Sequence, residues 1–93
     1  MKRFDWDIEK NKKLIQERNI SFEEIIVFIE QGRVLDIVDN PNPKYQHQKI
    51  FVLDIDGYVF VVPFIETEEV YFLKTIFPSR KATKEYLQGG EQI

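Results

Sequence analysis

The stretch "KIFVLDIDGYVFVVPF", residues 49–64, constrains the fold more than any other part of the chain. Two β-branched and aromatic runs, Lys49 to Ile55 and Tyr58 to Phe64, are separated only by Asp56 and Gly57, a pair suited to a tight hairpin turn. These runs are apolar on both faces, so most of the sheet they belong to must be covered. Two further runs, Val34 to Val38 and Val70 to Phe77, bring the expected strands to four, mainly antiparallel. Between the first and second strands lies "DNPNPKYQHQK", whose two prolines forbid regular pairing and leave an exposed polar loop.

Helices supply the cover. Ser21 and Glu24 form a capping box, and Ile20 and Ile25 stand at hydrophobic-staple positions, so a helix begins at Phe22. Phe22, Ile25, Ile26 and Ile29 share one face of it, and Gly32 supplies its left-handed stop. Asp7 caps an earlier helix running to about Arg18, with a thin apolar stripe of Ile8, Leu14 and Ile15 and an exposed face of Lys10, Lys12 and Lys13. Phe4 and Trp6 precede it either as an edge strand or as a plug. A short basic helix follows Ser79 at the other end. There is no repeat, linker or low-complexity stretch, and 93 residues suit a single domain spanning 1–93. The expected class is α+β: two N-terminal helices packed on a mainly antiparallel four-stranded sheet, with a short C-terminal helix.

Composition narrows the function. Without cysteine there is neither a disulfide nor a thiolate metal site, and with His47 as the only histidine no transition-metal ligand set can be assembled. Neither Ser21 nor Ser79 lies in a glycine elbow, and Gly89 and Gly90 have no following helix to receive a phosphate, so a serine nucleophile and a nucleotide cofactor are not expected. No apolar run approaches the length of a membrane span, and Met1 to Lys10 lacks the apolar centre of a signal peptide. A cytoplasmic protein without metal or organic cofactor is the expectation.

A formal net charge of -3 argues against nucleic-acid binding by bulk electrostatics, so any polyanion site must be local. The charge is uneven. Glu66, Glu68 and Glu69 make an acidic turn, whereas Lys74, Arg80, Lys81 and Lys84 follow with only Glu85 opposing them. In "FPSRKATKEYL", residues 77–87, the cations crowd a helix start where the backbone dipole favours acids. Backbone N–H groups and these side chains together suit phosphate oxygens: Arg80 offers a planar fork, and Lys81 and Lys84 offer point charges. The alternative is a solvated basic face paired with the acidic turn. A second cluster joins His47 to Lys44, Tyr45 and Lys49, where a histidine can pass protons. Tyr86 is either a packing anchor or a stacking surface for a base.

Three stretches, "FDWDIEKNKKL", "NISFEE" and "FPSRKATKEY", resemble in order and spacing the BrnT family of toxins, within the RelE-like group of small bacterial ribonucleases. The resemblance spans nearly the whole chain. It implies a RelE-like fold and a type II toxin that cleaves mRNA, either free or on the ribosome, without metal or organic cofactor, neutralised by a cognate antitoxin of ribbon-helix-helix type. The family's Ser/Ala-Arg-Lys-Ala-Thr segment falls on Ser79, Arg80, Lys81, Ala82 and Thr83, and its strand cation falls on Lys49, where arginine is more usual. The implied catalytic set is Arg80, Lys81, Lys49 and His47, with Lys84, Tyr86 and Lys44 binding RNA. A non-catalytic protein-interaction or RNA-binding module of the same fold is the alternative.

Overall fold

The computed structural model describes residues 2–88; Gly89 and Gly90 lie outside the described residues. Among the described residues the class is α+β, with three α-helices and a mixed sheet. Strand β1 (Arg3–Trp6) leads into helices α1 (Ile8–Arg18) and α2 (Phe22–Glu30). Strands β2 (Val34–Asp39), β3 (Lys49–Ile55) and β4 (Tyr58–Glu66) follow, then β5 (Val70–Leu73), β6 (Phe77–Pro78) and helix α3 (Arg80–Leu87). The spatial order is β1-β5-β4-β3-β2, and β6 also pairs with β4.

The local signals act as their chemistry dictates. Ser21 and Glu24 make the reciprocal capping box. Ile20 and Ile25 of the staple are buried in the same core cluster. At the far end of α2, Gly32 (φ +78°) donates to the Ile29 carbonyl at 3.1 Å and Arg33 to the Phe28 carbonyl at 3.0 Å, a paired stop that consumes two orphan carbonyls. Asp56 and Gly57 both take positive φ, which gives the hairpin turn the twist its strands require.

The sheet departs from the expected four strands in two places. Phe4 and Trp6 belong to a true edge strand, β1, which runs parallel to β5 in the register Phe4↔Tyr71 and Trp6↔Leu73. Their rings also fill the core, with Phe4 5.3 Å from Tyr71 and Trp6 5.9 Å from Phe22. The expected strand from Val70 to Phe77 is two strands, β5 and β6. Pro63 is the physical reason: its carbonyl accepts from Lys74 at 2.8 Å, so its missing N–H faces that same neighbour and the ladder is interrupted there.

Strand parity sorts the core. Phe51, Leu53, Val62, Phe64 and Leu73 face α1 and α2, where they pack with Leu14, Ile20, Phe22, Ile25 and Ile76. Phe51 stacks on Phe64 with ring centroids 4.1 Å apart. Val52, Val59 and Val61 face the other way, against Ala82 and Leu87 of α3. The expected apolar stripe of α1 is corrected: Ile8 and Ile15 are 67% and 47% exposed, and only Leu14 of the three is buried. Asn11 is buried beside it, accepting from the Phe22 N–H at 2.8 Å and donating to Glu23 at 2.8 Å, so one amide ties α1 to the start of α2. No helix among the described residues is long and apolar enough to cross a membrane.

Candidate nucleic-acid interface

Helix α3 carries no acid in its first turn. It forms because other residues hold it. The Ser79 hydroxyl accepts from the Ala82 N–H at 3.1 Å as N-cap. Thr83, 3% exposed, accepts from the Val59 N–H at 2.8 Å and donates to the Ser79 carbonyl at 2.7 Å. The Ser79 N–H in turn reaches the Val59 carbonyl at 2.9 Å, so both polar groups of Val59 are spent on the start of the helix. Ala82 and Leu87 add the apolar contact. Within "SRKAT", then, Ser79, Ala82 and Thr83 secure the helix, and Arg80 and Lys81 stay exposed, as does Lys84 one turn on.

Arg80 and Lys84 line one concavity with Tyr58, Thr83 and Gln88. Lys81 is exposed on the same helix and does not line it. Among the described residues the ion pairs are Lys2 with Glu66 and Lys12 with Glu9, so the acidic turn is not the partner of the basic helix. Tyr86 spans a gap of a different kind: its hydroxyl donates to the Asp36 carboxylate of β2 at 2.7 Å. That hydrogen bond, helped by burial, pushes the Tyr86 phenol above its ordinary value. Its ring is still partly exposed, but its hydroxyl serves as a tether from α3 to β2.

His47 and Lys49 come together elsewhere, around a concavity of about 520 Å³ shared with Lys2, Glu66, Thr67 and Glu68. Lys49 opposes Phe64, and Glu66 follows two residues later on the same face of β4. The Lys2 ammonium donates to Glu66, and with the positive charge of Lys49 it holds the Glu66 carboxyl below the usual carboxylate range. Carboxylates therefore already stand beside these cations. Lys44 lies in the exposed short helical turn Pro43–Tyr45 and lines neither concavity.

The two groups do not converge. Lys49 shares its parity with Phe51 and Leu53, on the side of α1 and α2, whereas α3 sits on the opposite side over Val59 and Val61. They are also at opposite ends of β4: Lys49 pairs near its finish at Phe64, and Thr83 is bonded to Val59 near its start. Of the catalytic set that the resemblance implies, Arg80 and Lys81 thus stand apart from Lys49 and His47 and do not meet them at one phosphate.

Four residues at these sites carried no signal as such in the sequence. Lys2 and Asp36 acquire their roles through pairings between segments far apart in the chain, of Lys2 with Glu66 and of Asp36 with Tyr86. Tyr58 was legible only as a strand start, and Thr83 only as part of a motif. The position of Tyr58 beside the Asp56-Gly57 turn is the one clue that local sequence offered. Comparison with protein-family models, with curated proteins and with solved structures finds no match for this chain.

Proposed function

We propose that this chain is an RNA-directed toxin of the BrnT kind with a RelE-like fold: a cytoplasmic, metal-independent endoribonuclease that cuts mRNA and is restrained by a cognate ribbon-helix-helix antitoxin. One observation carries the reading. In an acidic chain, Arg80, Lys81 and Lys84 project from a helix that other residues hold, and no described carboxylate pairs with them. Arg80 and Lys81, placed against their own helix dipole and without a partner, suit an anion from outside, whereas Lys84, expected at the helix start, stands in the last turn, where the dipole accepts it.

The chemistry asks little of the protein. The ribose 2′-oxygen attacks the neighbouring phosphorus and loses its proton to a base. The 5′-oxygen leaves and gains one, which yields a cyclic phosphate and a free 5′-hydroxyl. Arg80 stabilises the charge that builds on the phosphorane oxygens, Lys84 shares that task, and Lys81 draws the strand in. His47 and Lys49, across the sheet, engage a second stretch of the strand, with Lys44 a further phosphate contact; the protons at the linkage that Arg80 grips then pass to and from water or the ribosome, because His47 lies on the other face.

The same separation favours a second reading. Neither His47 nor Glu66 lines the concavity that holds Arg80, which fits a module that binds RNA and leaves it uncut. Induced expression of the chain and of Arg80→Ala, read as growth arrest and transcript integrity beside a melting curve, decides between them. The ribonuclease reading expects cleaved transcripts with the native chain and a folded, non-toxic variant. Intact transcripts with RNA still bound would establish the binding module, and full toxicity of folded Arg80→Ala would remove Arg80 from the mechanism.

A further inference from the structure

On the α3 side of the sheet, past Val61, a concavity of about 390 Å³ opens between the 40–48 loop and the segment 74–77. That volume is in the range of small-ligand sites. Tyr45 and Phe77 bring exposed aromatic surface to it, Gln48 and Asn42 bring side-chain amides, and Lys74 brings a cation. We propose that this concavity is a subsite for one unstacked base of single-stranded RNA, with Tyr45 or Phe77 as its stacking surface and Lys74 at its phosphate. The proposal rests on the RNA reading above and deepens it, because Phe77 is joined to Arg80 through Pro78 and Ser79 alone.

Three features argue for a base over a random hollow. The loop is preorganised: Asn40 donates to the Gln48 carbonyl at 3.1 Å, Gln48 to the Tyr45 carbonyl at 2.8 Å and Tyr45 to the Asn42 carbonyl at 2.9 Å. The Asn40 and Asn42 side-chain oxygens take the N–H groups of Asn42 and Lys44, each at 3.0 Å, which closes the loop on itself. A rigid wall loses little entropy on binding. The free polar groups are also biased toward donation. The Gln48 oxygen faces the Asn40 amide at 3.5 Å and the Asn42 oxygen is engaged, which leaves the NH2 ends of both and the Lys74 ammonium to offer hydrogens. Such a set matches the exocyclic O4 of uracil and O6 of guanine, where cytosine and adenine present an amine donor instead. Lastly, the Lys74 ammonium already lies 5.3 Å from the Phe72 ring centre, so an apolar surface steadies it.

The test uses the full chain and a trinucleotide blocked by 2′-O-methylation, which binds without being cut. Backbone amide resonances of residues 40–48 and 74–77 should shift, and Tyr45→Ala and Lys74→Gln should each weaken binding about tenfold while the fold is retained. Trinucleotides with uracil or guanine should bind more tightly than those with adenine or cytosine. Shifts confined to α3, with affinity unchanged in both variants, would overturn the subsite and leave the RNA reading standing. Uridine monophosphate binding as tightly as the trinucleotide would make the ligand a free nucleotide and overturn the RNA subsite. Failure of the native chain to hold either the trinucleotide or a long mRNA would overturn both readings.

Discussion

At the scale of single residues, two buried polar side chains do what no apolar residue can. Thr83 gives Val59 its hydrogen-bond acceptor, and Val59 is fully buried, so a change to valine at the same volume strands that N–H. Thr83→Val should cost about 2 kcal/mol, the penalty of an unpaired buried donor, which is roughly 10 °C in Tm for a chain of this size. Thr83→Ser should recover most of it, and thermal melts of the three proteins check this. Asn11 offers a pH signature instead. Its NH2 group holds the Glu23 carboxyl below its ordinary value, chiefly through their hydrogen bond. A carboxylate with a depressed folded-state value stabilises above its unfolded value and loses that contribution as pH falls through the folded one. Asn11→Ala should therefore be less stable at neutral pH, and should lose less on passing to pH below the ordinary glutamate range, than the native chain. Parallel acid limbs in denaturant melts at several pH values would reject the linkage.

At the scale of elements, α3 is held by its Ser79 cap, the bonds of Thr83 and its buried side and not by acids in its first turn, which leaves Arg80 and Lys81 free to be wrong for stability. Arg80→Glu should raise stability by about 0.3–1 kcal/mol, because an acid suits a helix start, while abolishing RNA binding; urea melts and a filter-binding assay measure the two. Tyr86→Phe removes the tether to β2. A phenol whose folded-state value is raised stabilises below its unfolded value and loses that contribution as pH rises through the folded one. The alkaline limb of stability, above the ordinary tyrosine range, should thus be shallower in Tyr86→Phe. The same contrast explains what could be read in advance. Ser21, Glu24, Gly32, Asp56 and Gly57 act within a few residues of themselves, so α2 and the central hairpin were legible. The break between β5 and β6 depends on which side of β4 the ring of Pro63 faces, and the parting of Lys49 from Arg80 depends on register and parity across three strands. Arg80, Lys81 and Lys84 were legible as an exposed basic cluster, but not their distance from His47, because a list of cations carries no information about the face of a sheet.

At the scale of the whole molecule, charge is sorted by face and by end. Glu66, Glu68 and Glu69 stand at the β4–β5 turn with Lys2 and Lys49 beside them, while Arg80, Lys81 and Lys84 crown the start of β4 from the other face. A net charge of -3 repels a polynucleotide at long range, so the basic helix must act within a Debye length, about 8 Å at physiological salt. Binding should then depend on salt through few contacts. For a strand short enough to reach α3 alone, with Arg80, Lys81 and Lys84 each neutralising one phosphate, the logarithm of affinity should fall with the logarithm of salt at a slope of about −2. Raising salt from 50 to 200 mM should weaken binding about fifteenfold, and Lys81→Gln should flatten the slope by roughly 0.7. Glu68→Gln, on the acidic end, should raise affinity slightly without changing the slope, because it removes repulsion and not a contact. Fluorescence anisotropy with a labelled RNA across that range gives each slope directly. A slope unaltered in Lys81→Gln but flattened by Lys49→Gln would move the phosphate grip to the other face of the sheet, where the strand would have to settle among carboxylates.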